Sequence, residues 1–153
     1  DFPDCIYRRD KNGEPLYPND VFVNPNPLEA DLPAQMTSVL QSRLAPDDVL
    51  VCPLTIGGHV DHITVRKAVE GLARPLWYYA DIPYLLNQPE ALTRFSDGGQ
   101  AKVQKVSSGG VAAWVEGIAA YASQISTLFE SSEKMREAIM KYGQEGVCLW
   151  KLE

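Results

Sequence analysis

Histidine and cysteine are both scarce in this chain of 153 residues, which has two histidines and three cysteines. Cys5, Cys52 and Cys148 are odd in number, widely spaced and without a Cys-x-x-Cys pair. Neither a disulfide framework nor a zinc knuckle is therefore indicated, and a reducing, cytoplasmic setting is expected. Any site built from imidazoles must use His59 or His62.

Long apolar runs and basic clusters are also missing. No apolar stretch approaches the ~20 residues that a membrane-spanning helix needs, so no membrane span is expected. The net charge is −6, and basic residues are adjacent only at Arg8-Arg9 and Arg66-Lys67, which argues against a nucleic-acid partner. The sequence also lacks Gly-x-Ser-x-Gly, Walker A and Gly-x-Gly-x-x-Gly, the patterns of common serine hydrolases, P-loop proteins and dinucleotide-binding proteins.

The composition that is present suits one globular domain, with 45% hydrophobic and 22% charged residues. The apolar run Val49–Leu54 predicts an interior strand of a parallel sheet, with a hydrogen-bonded neighbour on each side. A helix from about Asp61 to Gly71 and a second strand at Leu76–Ala80 follow it, which is a crossover unit. We therefore predict an α/β fold with a three-layer α/β/α, Rossmann-like arrangement.

The remaining elements are predicted from prolines, caps and helical spacing. Phe2–Tyr7 is predicted as the end of a strand, and the prolines of residues 1–27 indicate a long connection, which in proteins is often functional, for example as a lid. Residues 87–110 are predicted as a second, polar connection. Apolar positions at helical spacing predict helices over 31–44, 111–129 and 132–142, with Asp31 and Ser132 as N-caps, and an edge strand is predicted at Val147–Trp150.

The strongest chemical signal is Gly-Gly-His-Val-Asp-His at residues 57–62, directly after the first predicted strand. Ligands of open α/β sheets bind at the carboxyl ends of strands. An imidazole there can bind a metal or move a proton, and a neighbouring Asp can fix its tautomer. Helical spacing places His62 on the same face as Val65, Val69 and Leu72, which is the predicted core face.

The alternative interpretation is that His59 lies on a loop and that His62 is a structural, half-buried histidine. The two glycines, the strand end and the intervening Asp61 favour a functional site over that alternative. A catalytic zinc site takes three protein ligands and an open position. The residues by themselves therefore indicate half of a metal site.

The stretch from Cys52 to Ala68, with His-Val-Asp-His at residues 59–62 and Arg66, resembles the second motif of a known family. This is the LmbE-like family, the PIG-L type zinc-dependent N-acetylglucosaminyl deacetylases. Phe2-Pro3-Asp4 is similar to that family's Pro-Asp segment, and residues 120–124 are similar to its Tyr-x-Ser-Gln helix. These segments occur in the family's order across nearly the whole chain.

The resemblance implies roles for four residues. His62 is expected to bind zinc, and His59 to face the carbonyl oxygen of the substrate. Asp61 is expected to hold His59 in orientation and to favour its charged form, and Asp4 to lie in a substrate-contacting loop. The implied reaction is zinc-dependent removal of an N-acetyl group from an N-acetylglucosamine-type sugar conjugate.

The alternative is a non-catalytic protein of the same fold, which binds a sugar conjugate or has a structural role. A more distant alternative is a small α/β binding protein in which both histidines are structural.

The family's first motif, Ala-His-Pro-Asp-Asp, is absent from the sequence. The resemblance therefore implies that residues 1–153 form the C-terminal portion of the deacetylase domain, without its N-terminal βα units. A complementary N-terminal segment is then an expected partner, and this chain alone is expected to be inactive. A homo-oligomer is also expected. The acceptor stays open among a glycolipid, a thiol precursor, a chitin fragment and a glycopeptide antibiotic.

Overall fold

A computed structural model describes residues 1–96 and 99–152, without the side chains of residues 95 and 96. The described residues form a mixed α/β fold with one four-stranded sheet, which confirms the predicted α/β class. The strands are β1 (Leu50–Pro53), β2 (Leu76–Tyr79), β3 (Gln100–Gln104) and β4 (Val147–Lys151). Their order is β1-β2-β4-β3; β1 and β2 are parallel, and β4 is antiparallel to both of its neighbours.

Seven α-helices and two short 3-10 helices accompany the sheet in the described residues. The α-helices are α1 (Leu32–Gln41), α2 (Val60–Glu70), α3 (Tyr84–Asn87), α4 (Ala91–Ser96), α5 (Ser108–Ala119), α6 (Ala122–Phe129) and α7 (Ser132–Glu145). The 3-10 helices are Cys5–Tyr7 and Pro27–Glu29. None of the helices described is both long enough and apolar enough to cross a bilayer.

The crossover unit is formed as predicted: β1, α2 and β2 follow one another, α2 packs against β1, and α1 packs against α2. Three hydrophobic clusters hold the described residues together. The first lies on the sheet around Leu54, Ile56 and Trp150. The second joins α5, α6 and α7, and the third packs Cys5 and Tyr17 against Val60 at the start of α2. The third cluster fixes the N-terminal connection next to the His-x-Asp-His segment.

The sheet positions of two predicted strands are different from those expected. In the described sheet β1 lies at an edge, and its side chains alternate, so that Leu50 and Cys52 are buried whereas Val51 is 43% exposed. The predicted edge strand, β4, lies between β2 and β3. The sequence did not reveal β3 because its residues Gln-Ala-Lys-Val-Gln are mostly polar and exposed.

Several helix boundaries also differ from the predictions. Phe2–Tyr7 is not a strand, because the Asp4 side chain caps a 3-10 helix there. The predicted helix over 111–129 is divided at Tyr121, whose ψ of 53° is not helical. Residues 87–110 contain α4 and β3, and α1 ends at Gln41. The N-cap of α7 is Ser131, and α7 passes through Gly143, where a Cβ atom would lie 2.9 Å from a Val111 methyl.

The core face of α2 is displaced from the predicted one. Its buried residues are Val60, Thr64 and Ala68, whereas Val65 and Val69 are half-buried. The side chain of His62 is 34% exposed. His62 therefore lies at the boundary between the core and solvent, where an imidazole can still reach a ligand.

Candidate active site

The loop between β1 and α2 brings both imidazoles to the carboxyl end of the sheet. Gly57 and Gly58 have φ angles of +88° and +73°, and these left-handed conformations turn the chain from the strand into the helix. A Cβ atom at Gly57 would lie 2.6 Å from Cγ of Tyr84. The loop geometry therefore requires glycine here for both its backbone conformation and its lack of a side chain.

His59 is the N-cap of α2, and its ring has a defined hydrogen bond. Its Nδ1 accepts a hydrogen bond from the backbone N–H of Asp61 at 3.2 Å. Because Nδ1 is the acceptor, the neutral ring carries its proton on Nε2. His59 thus presents an N–H donor on its other side.

The charge state of His59 differs from the expected one. Burial lowers the pKa of His59, and the neighbouring His62 lowers it further, whereas Asp61 and Asp4 raise it by less. The expectation that Asp61 favours a charged His59 is therefore outweighed by desolvation. The lowered pKa of His59 favours its neutral form.

The carboxylate of Asp61 contacts the N-terminal connection and not the His59 ring. Its Oδ1 lies 2.6 Å from Nη2 of Arg8, and its Oδ2 accepts a hydrogen bond from the Cys5 N–H at 3.0 Å. Asp61 therefore orients His59 through its backbone, and the expected contact between carboxylate and ring is corrected. The reason is the buried guanidinium of Arg8, which also lies 2.7 Å from Glu29.

His62 is oriented by a residue that we did not predict. Oδ1 of Asp81 lies 2.6 Å from Nδ1 of His62, and Asp81 is only 2% exposed. Its other oxygen accepts a hydrogen bond from the Ile56 N–H at 2.9 Å. Asp81 follows the end of β2, the strand parallel to β1, so the strand-end argument that located His62 also applied to it.

Two aromatic side chains border the imidazoles. The ring centroids of His59 and His62 are 5.1 Å apart. Phe22 lies edge-on to His59 at 5.5 Å, and Tyr84 contacts His62 at 5.9 Å. The backbone carbonyl of Val21 accepts a hydrogen bond from Val60 at 2.8 Å, so the N-terminal connection does lie over this site.

Asp4 lies at the exposed edge of the same region. Its Oδ1 accepts a hydrogen bond from the Ile6 N–H at 3.1 Å and lies 3.5 Å from Sγ of Cys5. Asp4 and Asp61 thus flank Cys5, and burial together with Asp61 raises the pKa of this thiol to about 12. One continuous polar group is formed by Asp4, Cys5, His59 and Asp61. The sequence predicted all of these site residues except Cys5.

The fit to zinc can be judged from these contacts. A histidine ligand usually has a carboxylate or carbonyl at its second nitrogen, and His62 has Asp81 there, which leaves Nε2 for a metal. Cys5, His59 and Asp61 also have ligand atoms within 4.8 Å of one another, but His62 is not in that group. Among the described residues, His62 therefore has the surroundings of a histidine metal ligand.

Comparisons with known proteins identify the fold. No protein-family model and no curated protein matches the sequence. Two solved structures match over 97% of this chain at 22% identity: the zinc-inhibited form of teicoplanin deacetylase Orf2, with a TM-score of 0.66, and a deacetylase–bog complex from the teicoplanin biosynthesis pathway, with a TM-score of 0.63. The chain spans 64% and 63% of these proteins, which is less than two thirds of either. By this likeness, the chain has the mixed α/β fold of these deacetylases.

Proposed function

We propose that the protein is a zinc-dependent hydrolase that removes an N-acetyl group from an N-acetylglucosamine-type sugar conjugate. The observation that carries the proposal is the buried Asp81 carboxylate at Nδ1 of His62, an arrangement typical of a histidine that binds a metal. The shared fold and the His-x-Asp-His resemblance support the same reaction. Bound zinc supplies a water of lowered pKa and polarises the amide carbonyl.

In this proposal, His62 is the metal ligand that this chain contributes. Asp81 holds the ring by its Nδ1 side, so that Nε2 is available for the metal. The carboxylate itself is fixed by the Ile56 N–H, which belongs to the loop after β1. Residues after the ends of both β1 and β2 thus determine the orientation of the His62 ring.

His59 acts in the proposal as a hydrogen-bond donor to the substrate. The Asp61 N–H occupies Nδ1, so the Nε2 proton faces away from the helix and can bind the carbonyl oxygen as negative charge develops on it. One such donor contributes a factor of about 10² to 10³ in kcat. A neutral donor suffices for this role, in agreement with the lowered pKa of His59.

Asp61 and Asp4 have supporting roles in the proposal. We include Asp61 among the proposed catalytic-site residues for two reasons. Its backbone N–H fixes the tautomer of His59, and its carboxylate forms an ion pair with Arg8. Asp4 is exposed beside this group, where a sugar hydroxyl can reach its carboxylate. Asp4 is thus proposed as a substrate contact rather than as a reacting group.

The substrate class follows from the surroundings of the imidazoles. Phe22 and Tyr84 form an apolar border, which suits the non-polar face of a sugar ring more than an ionic substrate. The two structural neighbours are deacetylases of a glycopeptide pathway, which supports an acylated amino sugar as the substrate.

The free thiols Cys5, Cys52 and Cys148 support a location in the cytoplasm.

The test is an assay of the intact protein, including any complementary N-terminal segment, with N-acetylglucosamine and its conjugates. Acetate release and free amine are measured after metal removal and after addition of one equivalent of zinc. The proposal expects release only with zinc, and loss of release in His62→Ala. Tight binding of the sugar conjugate with no release of acetate contradicts it, and supports the alternative of a non-catalytic binding protein.

A further inference from the structure

We infer that Cys5, His59 and Asp61 form a second site, for a thiophilic divalent cation of the zinc class, and that a cation bound there inhibits the enzyme. The binding site is independent of the proposed function. The inhibition rests on the proposed function, because it acts through His59.

The geometry of the three side chains is the basis of the inference. Their ligand atoms lie within 4.8 Å of one another, so small adjustments bring all three around one ion. The donors are a sulfur, an imidazole nitrogen and a carboxylate oxygen, the set that zinc uses in proteins. Cys5 is 1% exposed, so its position is already fixed by packing with Tyr17 and Val60.

The charges around the thiol favour a cation. Asp4 and Asp61 lie on either side of Cys5, and Glu29 lies beyond them, against the single guanidinium of Arg8. The Asp61 carboxylate has one partner on each oxygen, which leaves further lone pairs for a metal. The carboxylate of Asp4, 3.5 Å from Sγ of Cys5, adds negative charge next to the thiol.

Binding exchanges a proton for the metal at the thiol. The Cys5 S–H bond breaks, a bond forms between sulfur and the cation, and the proton is released to solvent. No oxidant or reductant takes part, because the sulfur and the cation keep their oxidation states.

A cation at this site removes His59 from its proposed role. Coordination through Nε2 takes the position of the proton that would bind the substrate oxygen. Coordination through Nδ1 breaks the hydrogen bond from the Asp61 N–H that fixes the tautomer. Either way, His59 no longer presents its donor, while His62 and Asp81 keep their contact.

Cadmium or cobalt titration of the intact protein tests the site directly. A thiolate-to-metal charge-transfer band is expected to saturate at one cation per chain, beyond any cation held by His62, in the wild type, in His62→Ala and in the matched control Cys148→Ala. We expect it to vanish in Cys5→Ser, and the affinity to fall about tenfold or more in Asp61→Asn. A band that persists in Cys5→Ser, or that vanishes in Cys148→Ala, overturns the site.

A second measurement does not depend on a variant that must fold. The cadmium NMR shift of the wild-type protein reports whether sulfur is a ligand. A shift in the range of oxygen and nitrogen ligands alone overturns the inference, and a sulfur-containing shift supports it.

The inhibition is tested by zinc titration of the hydrolase activity. Cys5→Ser is expected to keep the basal activity and to need at least about tenfold more zinc for half-inhibition. Equal inhibition in Cys5→Ser and wild type overturns the regulatory part. Absence of any hydrolase activity overturns the proposed function and the inhibition with it, whereas the spectroscopic titration still decides the metal site.

Discussion

Oδ1 of Asp81 lies 2.6 Å from Nδ1 of His62, and this contact joins the ends of two parallel strands. His62 lies in the first turn of α2, which the six residues 54–59 join to β1, and Asp81 lies two residues after the end of β2. The same Asp81 carboxylate accepts the Ile56 N–H, so it fixes the loop as well as the ring. A change at Asp81 is therefore expected to affect both metal binding and stability.

Asp81→Asn is the sharpest test of this contact. The two carboxylate oxygens of Asp81 face His62 and the Ile56 N–H separately. The side-chain amide of asparagine has only one acceptor oxygen, so it cannot replace both contacts, and His62 loses its orientation. Zinc affinity is expected to fall about 10- to 100-fold. It is measured by competition with a chromophoric chelator, with Glu137→Gln, an exposed change on α7, as the control. Unchanged affinity in Asp81→Asn would remove the orienting role.

Arg8 is expected to be a strong contributor to stability. Its guanidinium is buried between Glu29 and Asp61, so Arg8→Ala leaves two carboxylates without a cation. The free energy of unfolding is expected to fall by about 3 to 5 kcal/mol. Arg9→Ala, an exposed neighbour, is the control and is expected to change stability by about 0.5 kcal/mol or less. Denaturant unfolding of both variants checks the difference.

The two glycines of the turn give a matched comparison. Both have positive φ, so alanine at either position costs about 1 kcal/mol of backbone strain. A Cβ atom at Gly57 also meets Tyr84 at 2.6 Å, whereas one at Gly58 meets nothing within 4 Å. Gly57→Ala is therefore expected to cost about 1 to 3 kcal/mol more than Gly58→Ala. Equal unfolding free energies would show that Tyr84 moves freely.

The three thiols are expected to react at different rates. Burial raises the pKa of Cys52 to about 11 and that of Cys5 to about 12, so both are protonated at mildly alkaline pH. Cys148 is half-buried, and its raised pKa also slows its reaction. Alkylation of the native protein is expected to label Cys148 first, and to label Cys5 and Cys52 only after unfolding. Peptide mapping by mass spectrometry measures the order, and rapid labelling of Cys5 would contradict its burial.

The position of the histidine motif could be predicted because strand and helix patterns are local. The apolar run before residue 57 and the helical spacing after residue 60 placed His59, Asp61 and His62 at a strand end. The contact of His62 with Asp81 depends on the pairing of β1 with β2, in which Pro53 lies opposite Tyr79. Because that pairing aligns the ends of β1 and β2, the acidic residue after β2, Asp81, could have been predicted to lie near His62.

The partners of Asp61 could not be predicted in the same way. Cys5 and Asp61 are 56 positions apart, and they meet because the irregular N-terminal connection packs Cys5 and Tyr17 on Val60. The prolines predicted that this connection is irregular, but they did not predict where in the fold it lies. The polar strand β3 was also missed, since its side chains carry no alternation of buried and exposed residues.

The most direct measurement of the central claim is the zinc content and kcat of His62→Ala and His59→Ala in the intact protein, with both changes made in the Cys5→Ser background so that the second cation site does not contribute zinc. His62→Ala is expected to lose zinc and activity together, because it removes the metal ligand. His59→Ala is expected to keep stoichiometric zinc while kcat falls about 10²- to 10³-fold, because it removes a donor to the developing oxyanion. Loss of zinc in His59→Ala, or retention of zinc and activity in His62→Ala, would contradict the assignment of the two imidazoles.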